Sequence, residues 1–275
     1  MRRDESQRDA WGPFDSRLQD LICEALARDP AGAGFDVHYQ PIVRVADGSV
    51  VAVEALARWQ PPEMREIAPP AFVAVAERCG LIGVLDDFVL NRACANARAL
   101  SQTFGRDVTV HVNVSAQRLG RLDLEATVAW AVRRHGLQPN RLVLEITETG
   151  GSADIAGAAE AVSRIRATGV SVALDDCSAS VNVLRQLHTL PIDVIKLDAM
   201  LLGSDDGTWR AEAVCRSIME FSRQLSLRVI AEGVENVTQA RWLPDLGCEL
   251  AQGYLYAPPL PLAQLGKHRQ VSWRL

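Results

Sequence analysis

Apolar positions along this chain recur at two spacings, and the change from one to the other separates helices from strands. Leu18, Leu21, Ile22, Ala25 and Leu26 fall three and four residues apart, the interval that gathers side chains on one face of an α-helix. Asp15 or Ser16 is placed to cap that helix, and Pro30 and Gly32 to stop it. Two β-rich runs follow, His38 to Val43 and Val51 to Arg58, joined by a short connection containing Asp47 and Gly48. A parallel crossover needs about a dozen residues or more, so these two strands must be antiparallel.

The rest of the chain alternates. HVNVS (111–115), LVLEIT (142–147), VALDD (172–176), VIKLD (194–198), RVIAEG (228–233) and QGYLYA (252–257) are each preceded by a segment long enough for a helix. Ile155, Ala159, Val162 and Ile165 share one helical face, as do Val214, Ile218, Phe221 and Leu225. Regular alternation implies parallel strands with helical crossovers. The expected fold is α/β, a (β/α)8 TIM-like barrel with the first strand antiparallel to the others; the strand count alone also admits a doubly wound open sheet. Residues 1–14 read as a polar tail, 15–265 as a single barrel domain and 266–275 as a C-terminal tail.

The chemistry sits where the apolar strands run out. Strand two carries Glu54, strand three Asn113, strand four Glu145, strand five Asp175 and Asp176, strand six Lys196 and strand seven Glu232, while strand eight opens with Gln252. In a barrel these positions converge on one mouth. Singly, each would be an ordinary rim residue or helix cap. Together, several carboxylates in a partly desolvated cup repel one another and titrate at raised pKa unless a cation neutralises them. A donor set of oxygens without His or Cys selects hard ions, Mg²⁺ or Mn²⁺ over Zn²⁺ or Cu. Asp175 and Asp176 could serve two ions, an arrangement that clamps a phosphoryl oxygen and prepares a nucleophile for phosphodiester hydrolysis. Lys196 could orient the attacking water or stabilise developing charge, or simply pair with Asp198 or a rim carboxylate. Arg58 is placed to meet a phosphate.

Composition narrows the setting. With 275 residues, 48% of them hydrophobic, the chain can bury a full core. A net charge of −5 without clustered Lys and Arg disfavours a polynucleotide partner. No apolar run approaches the roughly 18 residues a bilayer span requires, and the opening MRRDESQRDA is too charged for a signal peptide, so a cytoplasmic protein without membrane insertion is expected. The six cysteines are far apart and read as small buried hydrophobes, not as a disulfide framework or zinc site.

At these positions the chain resembles the EAL domain family, the cyclic di-GMP phosphodiesterases and receptors. The resemblance covers His38 to Pro261 and follows the family's order of motifs: YQPIV (39–43), EALARW (54–59), AERCGLI (76–82), VNVS (112–115), LEITET (144–149), LDD (174–176), IKLD (195–198), AEGVE (231–235) and GCELAQGYLYAPPLP (247–261). It implies hydrolysis of one phosphodiester of cyclic di-GMP to linear pGpG, with Mg²⁺ or Mn²⁺ as cofactor and Ca²⁺ as inhibitor. Glu54, Asn113, Glu145 and Asp175 would hold one ion, and Asp175, Asp176 and Glu232 would approach the second. Lys196, touching the nucleophilic water, would act with Asp176 and Glu235; Gln40, Leu56, Arg58 and Gln252 would line the nucleotide; Glu148 would anchor a loop. A homodimer, and a protein partner or sensory module, are further implications.

One stretch departs from the family. Its active members usually read DDFGTGYSSL after the acid pair, whereas this chain reads DDCSASVNVL from Asp175 to Leu184, with Ser178 and Ser180 in place of both glycines. Loss of glycine changes the path open to the loop that positions Asp176. In the family this loop links the second metal site to the dimer interface, which raises an alternative: a receptor that binds cyclic di-GMP without useful turnover and signals through a partner or a dimer change. Arg58 to Pro70 also lacks the His and Gly that often punctuate this stretch, which reshapes the rim beside the nucleotide.

Overall fold

Runs dominated by Val, Ile and Leu become the staves of a closed barrel. In the computed structural model, which describes residues 13–62, 64–119, 121, 123–147, 155–177, 181–198 and 209–268, the strands are β1 (Phe35–Arg44), β2 (Val50–Trp59), β3 (Thr109–Val114), β4 (Leu142–Thr147), β5 (Ser171–Cys177), β6 (Val194–Asp198), β7 (Arg228–Glu232) and β8 (Leu250–Gln252), closed in chain order. β1 runs antiparallel to both its neighbours, β2 and β8. The remaining pairs are parallel. The β1–β2 turn is the one Asp47 and Gly48 announce: Asp47 Oδ1 accepts from the Ser49 N–H at 2.9 Å and the Ser49 hydroxyl at 2.6 Å, and Gly48 takes φ of 67°.

Around the barrel lie α1 (Pro13–Arg28), α2 (Pro69–Arg78), α3 (Ile82–Phe104), α4 (Ala116–Leu119), α5 (Leu124–Arg134), α6 (Ile155–Ala167), α7 (Val181–Thr189), α8 (Trp209–Gln224) and α9 (Val237–Leu246). α1 begins at Pro13, ahead of the expected cap at Asp15 or Ser16, because a proline's fixed φ suits a first helical turn. A second difference concerns β8, which ends at Gln252 where the sequence suggested it would open there. The backbone at Gly253 lies so close to Val234 that a Cβ there would be 2.1 Å from the Val234 carbonyl oxygen, so the position requires glycine. Among the described residues no helix is long and apolar enough to cross a membrane. None of the six cysteines is in a disulfide among the described residues, and four of them are buried.

Two apolar layers position the site. The larger packs the outer faces of the strands against the helices, with Leu18, Ile22, Val162 and Ile165 among its buried members. The smaller fills the barrel below its midpoint, built from Ile42, Ala52, Val143, Ala173, Val194 and Ile230. α3 is tied to the end of β3 by Asp86, whose Oδ2 accepts from the Ser115 N–H at 3.1 Å and the Ser115 hydroxyl at 2.8 Å.

The burial of that carboxyl makes stability depend on pH. Burial pushes the Asp86 carboxyl up from 3.8 to about 6. Between those values the unfolded chain has released its proton while the folded chain keeps it, so stability falls as pH rises through this window and stays lowered above it. Asp86→Asn keeps the acceptor for Ser115 without the charge. It is expected to be more stable than the parent by ~1–3 kcal/mol at pH 8, and to lose that advantage near pH 4. Thermal unfolding at the two pH values checks this; an advantage independent of pH would mean that the charge is not its cause.

Candidate active site

Side chains two residues apart on a strand share a face, and the barrel uses this step to place a polar cup directly above its apolar plug. Ala52 is followed by Glu54, Val143 by Glu145, Ala173 by Asp175, Val194 by Lys196 and Ile230 by Glu232, while on the reversed β1 Ile42 is preceded by Gln40. On β3 the cup residue is Asn113, and the residue below it is not apolar but His111.

Consecutive residues of a strand face opposite ways, so Asp175 and Asp176 can reach one cup only if that alternation breaks. It does: the β5–β6 register shifts between Leu174 and Cys177, and Asp176 adopts φ of 53°. This is a bulge with a residue in the left-handed region, a conformation Asp tolerates better than most residues.

At the centre stands Lys196, fully buried. Its Nζ lies 2.6 Å from Glu232 Oε1, 2.8 Å from Glu145 Oε2, 3.0 Å from Asp175 Oδ1 and 3.2 Å from Glu54 Oε2. The pairing with rim carboxylates is thus realised, four at once. One ammonium cannot neutralise four carboxylates. Burial, and then Glu54, push Glu145 well above the usual carboxylate range; burial, and then Asp175 and Glu54, do the same to Glu232 against the pull of Lys196. Asp176 is raised by burial and by Asp175. Burial alone would depress the Lys196 ammonium, but Glu145, Glu54, Asp175 and Glu232 outweigh it and hold that pKa well above its ordinary value.

Carboxylate oxygens of Glu54, Glu145 and Asp175 lie within 4.8 Å of one another, as do those of Asp175, Asp176 and Glu232. Asp175 belongs to both groups. Its Oδ1 is buried and forms no hydrogen bond, despite the nearby ammonium. Gln252 Oε1 is likewise buried without a donor, while its amide nitrogen donates to Glu54 Oε2 at 2.6 Å and Gln40 Oε1 at 3.0 Å. Gln40 in turn donates to the Ala257 carbonyl at 3.1 Å. Asn113 donates to the other oxygen of Glu54 at 2.7 Å. An acidic cluster able to hold a metal is therefore present, with Gln252 Oε1 lacking a donor and Asp175 Oδ1 facing only the shared ammonium.

Above it opens a cavity of about 370 Å³, whose walls include Leu56, Asp176, Glu235, Gln252 and Tyr254. Glu235 is held at the rim by the capping box of α9: the Glu235 and Asn236 N–H groups donate to Gln239 Oε1, and the Gln239 N–H donates to Asn236 Oδ1. Arg58 stands off the cavity wall; its guanidinium donates to the Ala57 carbonyl at 2.8 Å and lies 3.6 Å from Glu66. Glu148 and Ser178–Ser180 lie outside the described residues.

Two residues were not singled out from the sequence. Tyr254 is 67% exposed on the cavity wall; its signal was an aromatic two residues past Gln252. His111 is buried, with Nδ1 2.7 Å from Glu145 Oε1; its signal was a polar residue two positions before Asn113 on the same face.

The comparisons follow the same residues. The family model for the EAL domain matches residues 23–259. The cyclic di-GMP phosphodiesterase NbdA of Pseudomonas aeruginosa is 38% identical over 249 residues, covering 90% of this chain and 31% of NbdA. The bifunctional diguanylate cyclase/cyclic di-GMP phosphodiesterase MucR of the same organism is 34% identical over 234 residues, 83% of this chain and 33% of MucR. The chain thus spans about a third of the length of these relatives. A solved structure of the PaMucR phosphodiesterase in a c-di-GMP complex superposes with a TM-score of 0.80 at 32% identity, covering 89% of this chain and 99% of that one. With the match running through all eight strands of the barrel, the chain belongs to the EAL domain family.

Proposed function

We propose that this chain hydrolyses cyclic di-GMP to linear pGpG in a reaction that needs Mg²⁺ or Mn²⁺. The observation that carries this reading is the pair of carboxylate groups sharing Asp175 around a buried lysine. The residues fit such ions: the donors are oxygens, Gln252 Oε1 lacks a hydrogen-bond partner, Asp175 Oδ1 has only the shared Lys196 ammonium beside it, and negative charge exceeds positive. Glu54, Glu145, Asp175 and the neighbouring Asn113 would hold one ion, and Asp175, Asp176 and Glu232 the other. Bound there, divalent cations supply charge neutralisation at the phosphoryl oxygens and acidify the attacking water.

The chain's own groups do the rest. Water adds to phosphorus, the bond to the 3′ oxygen breaks, and the freed hydroxyl takes up a proton. Lys196 would orient that water and offset charge gathering on the phosphoryl group. Asp176 and Glu235, both exposed at the cup, are placed to move the proton. Leu56 and the Tyr254 ring offer apolar surface to a nucleobase, and Gln252 Oε1 an acceptor to the ligand. Arg58 would meet a phosphate after turning from Glu66. A homodimer and a protein partner or sensory input rest on the resemblance, and a cytoplasmic site of action is proposed with them. The receptor alternative is not favoured, because the relatives named above are phosphodiesterases.

The test is incubation of the purified protein with cyclic di-GMP and Mg²⁺ or Mn²⁺, following pGpG by chromatography, with binding titrated separately in Ca²⁺. Product that forms with metal and stops with a chelator is expected. Tight binding without product would establish the receptor instead.

A further inference from the structure

We propose that His111 is a positioning residue for the metal site, holding Glu145 by a hydrogen bond from beneath so that its second oxygen is free to face the cup. The inference rests on the metal-site reading above and concerns a contact that reading does not use.

Geometry carries it. His111 occupies, on β3, the level at which the other strands place Ile42, Ala52, Val143, Ala173, Val194 and Ile230. A polar ring in an apolar layer is costly unless it is hydrogen-bonded, and here the bond goes to Glu145. The Nδ1–Oε1 separation is 2.7 Å, and both residues are buried. With Glu145 ionised, as it is when it serves as a metal ligand, Nδ1 must carry the proton, since two acceptors would repel. Each oxygen of Glu145 then has one assigned direction: Oε1 to His111, Oε2 to Lys196 and the cup. A glutamate with two further side-chain torsions and no such tether could swing between them.

The ring also forms a partition. On its far side a cavity of about 830 Å³ opens at the opposite end of the barrel, with Arg44, Thr109 and Arg228 among its walls. An apolar residue at position 111 would still close that partition and continue the plug, but it could not donate. Structure and positioning are therefore separable by mutation.

His111→Leu removes the donor and matches the plug; His111→Asn keeps an N–H near the place of Nδ1. Mn²⁺ binding to the full chain, read by the loss of free-ion paramagnetic resonance, is expected to weaken roughly 10–100-fold in His111→Leu, the range for loss of an outer-shell partner. It is expected to stay within about threefold of the parent in His111→Asn. The thermal unfolding midpoint in chelator is expected to fall only modestly in His111→Leu, which fills the plug but leaves Glu145 Oε1 without its donor; if that variant does not fold, His111→Val, matching Val143 of the next strand, replaces it. Parental Mn²⁺ affinity in the donorless variant, or an equal loss in His111→Asn, overturns the inference. A parent chain that binds no Mn²⁺ removes the metal-site reading and the inference with it.

Discussion

Lys196→Met is expected to stop hydrolysis and to make the fold depend on divalent cations. Methionine reproduces the length of the lysine stem without its charge, so the packing of β6 should survive. What disappears is the only ammonium among four carboxylates, each within 3.2 Å of Nζ. Removing one partner of a buried ion pair costs about 3–5 kcal/mol because the other is left uncompensated. In chelator the unfolding midpoint should therefore drop by on the order of 10 °C. Mn²⁺ or Ca²⁺ should restore more stability to the variant than to the parent, since ion binding now relieves a larger repulsion. Turnover should fall by at least ~10³, the scale for loss of a group that stabilises the reacting phosphoryl charge. Unfolding scans with and without metal, beside chromatography of pGpG, separate the two effects. A variant with parental turnover would show that Lys196 serves only to balance charge.

Asp175→Asn should disturb the same balance in the opposite direction. Asp175 alone belongs to both carboxylate groups, and its buried Oδ1 has no hydrogen bond. Neutralising it removes one like charge from a crowded cup, so the chain in chelator is expected to become more stable than the parent. Catalysis should nonetheless fall by ~10³ or more, because both ion positions lose a ligand. Glu54→Gln and Glu232→Gln each touch one group only, and should reduce the number of Mn²⁺ ions bound where Asp175→Asn weakens them all. A stoichiometric Mn²⁺ titration of the three variants decides this; unchanged binding in Asp175→Asn would end the idea of a shared ligand. A gain in stability bought with a loss of function is the usual relation at a site of concentrated charge.

Much of this arrangement could be read along the chain. The antiparallel start followed from the short Asp47–Gly48 connection, and the parallel remainder from helices long enough to cross over. The carboxylate cup followed from acids at strand ends, because alternation along a strand decides which side chains point inward, and barrel closure then brings inward-facing ends together. Glu54, Glu145, Asp175, Asp176, Lys196 and Glu232 do meet in one cup. β8 ends at Gln252, not beyond it, and is followed by Gly253, whose close approach to the Val234 backbone leaves no room for a side chain.

Local pattern says which face a residue occupies; it does not say whom it meets. That Lys196 would gather four carboxylates from four other strands, that Asp176 would leave the extended region so that two adjacent acids share a cup, and that His111 would reach Glu145 were all settled by the register and closure of the barrel. Period-two alternation is a property of each strand alone, whereas the stagger between strands is a property of the closed sheet. Residues far apart in sequence, such as Glu54 and Lys196, 142 positions apart, or Glu54 and Gln252, 198 apart, become neighbours only once that stagger exists.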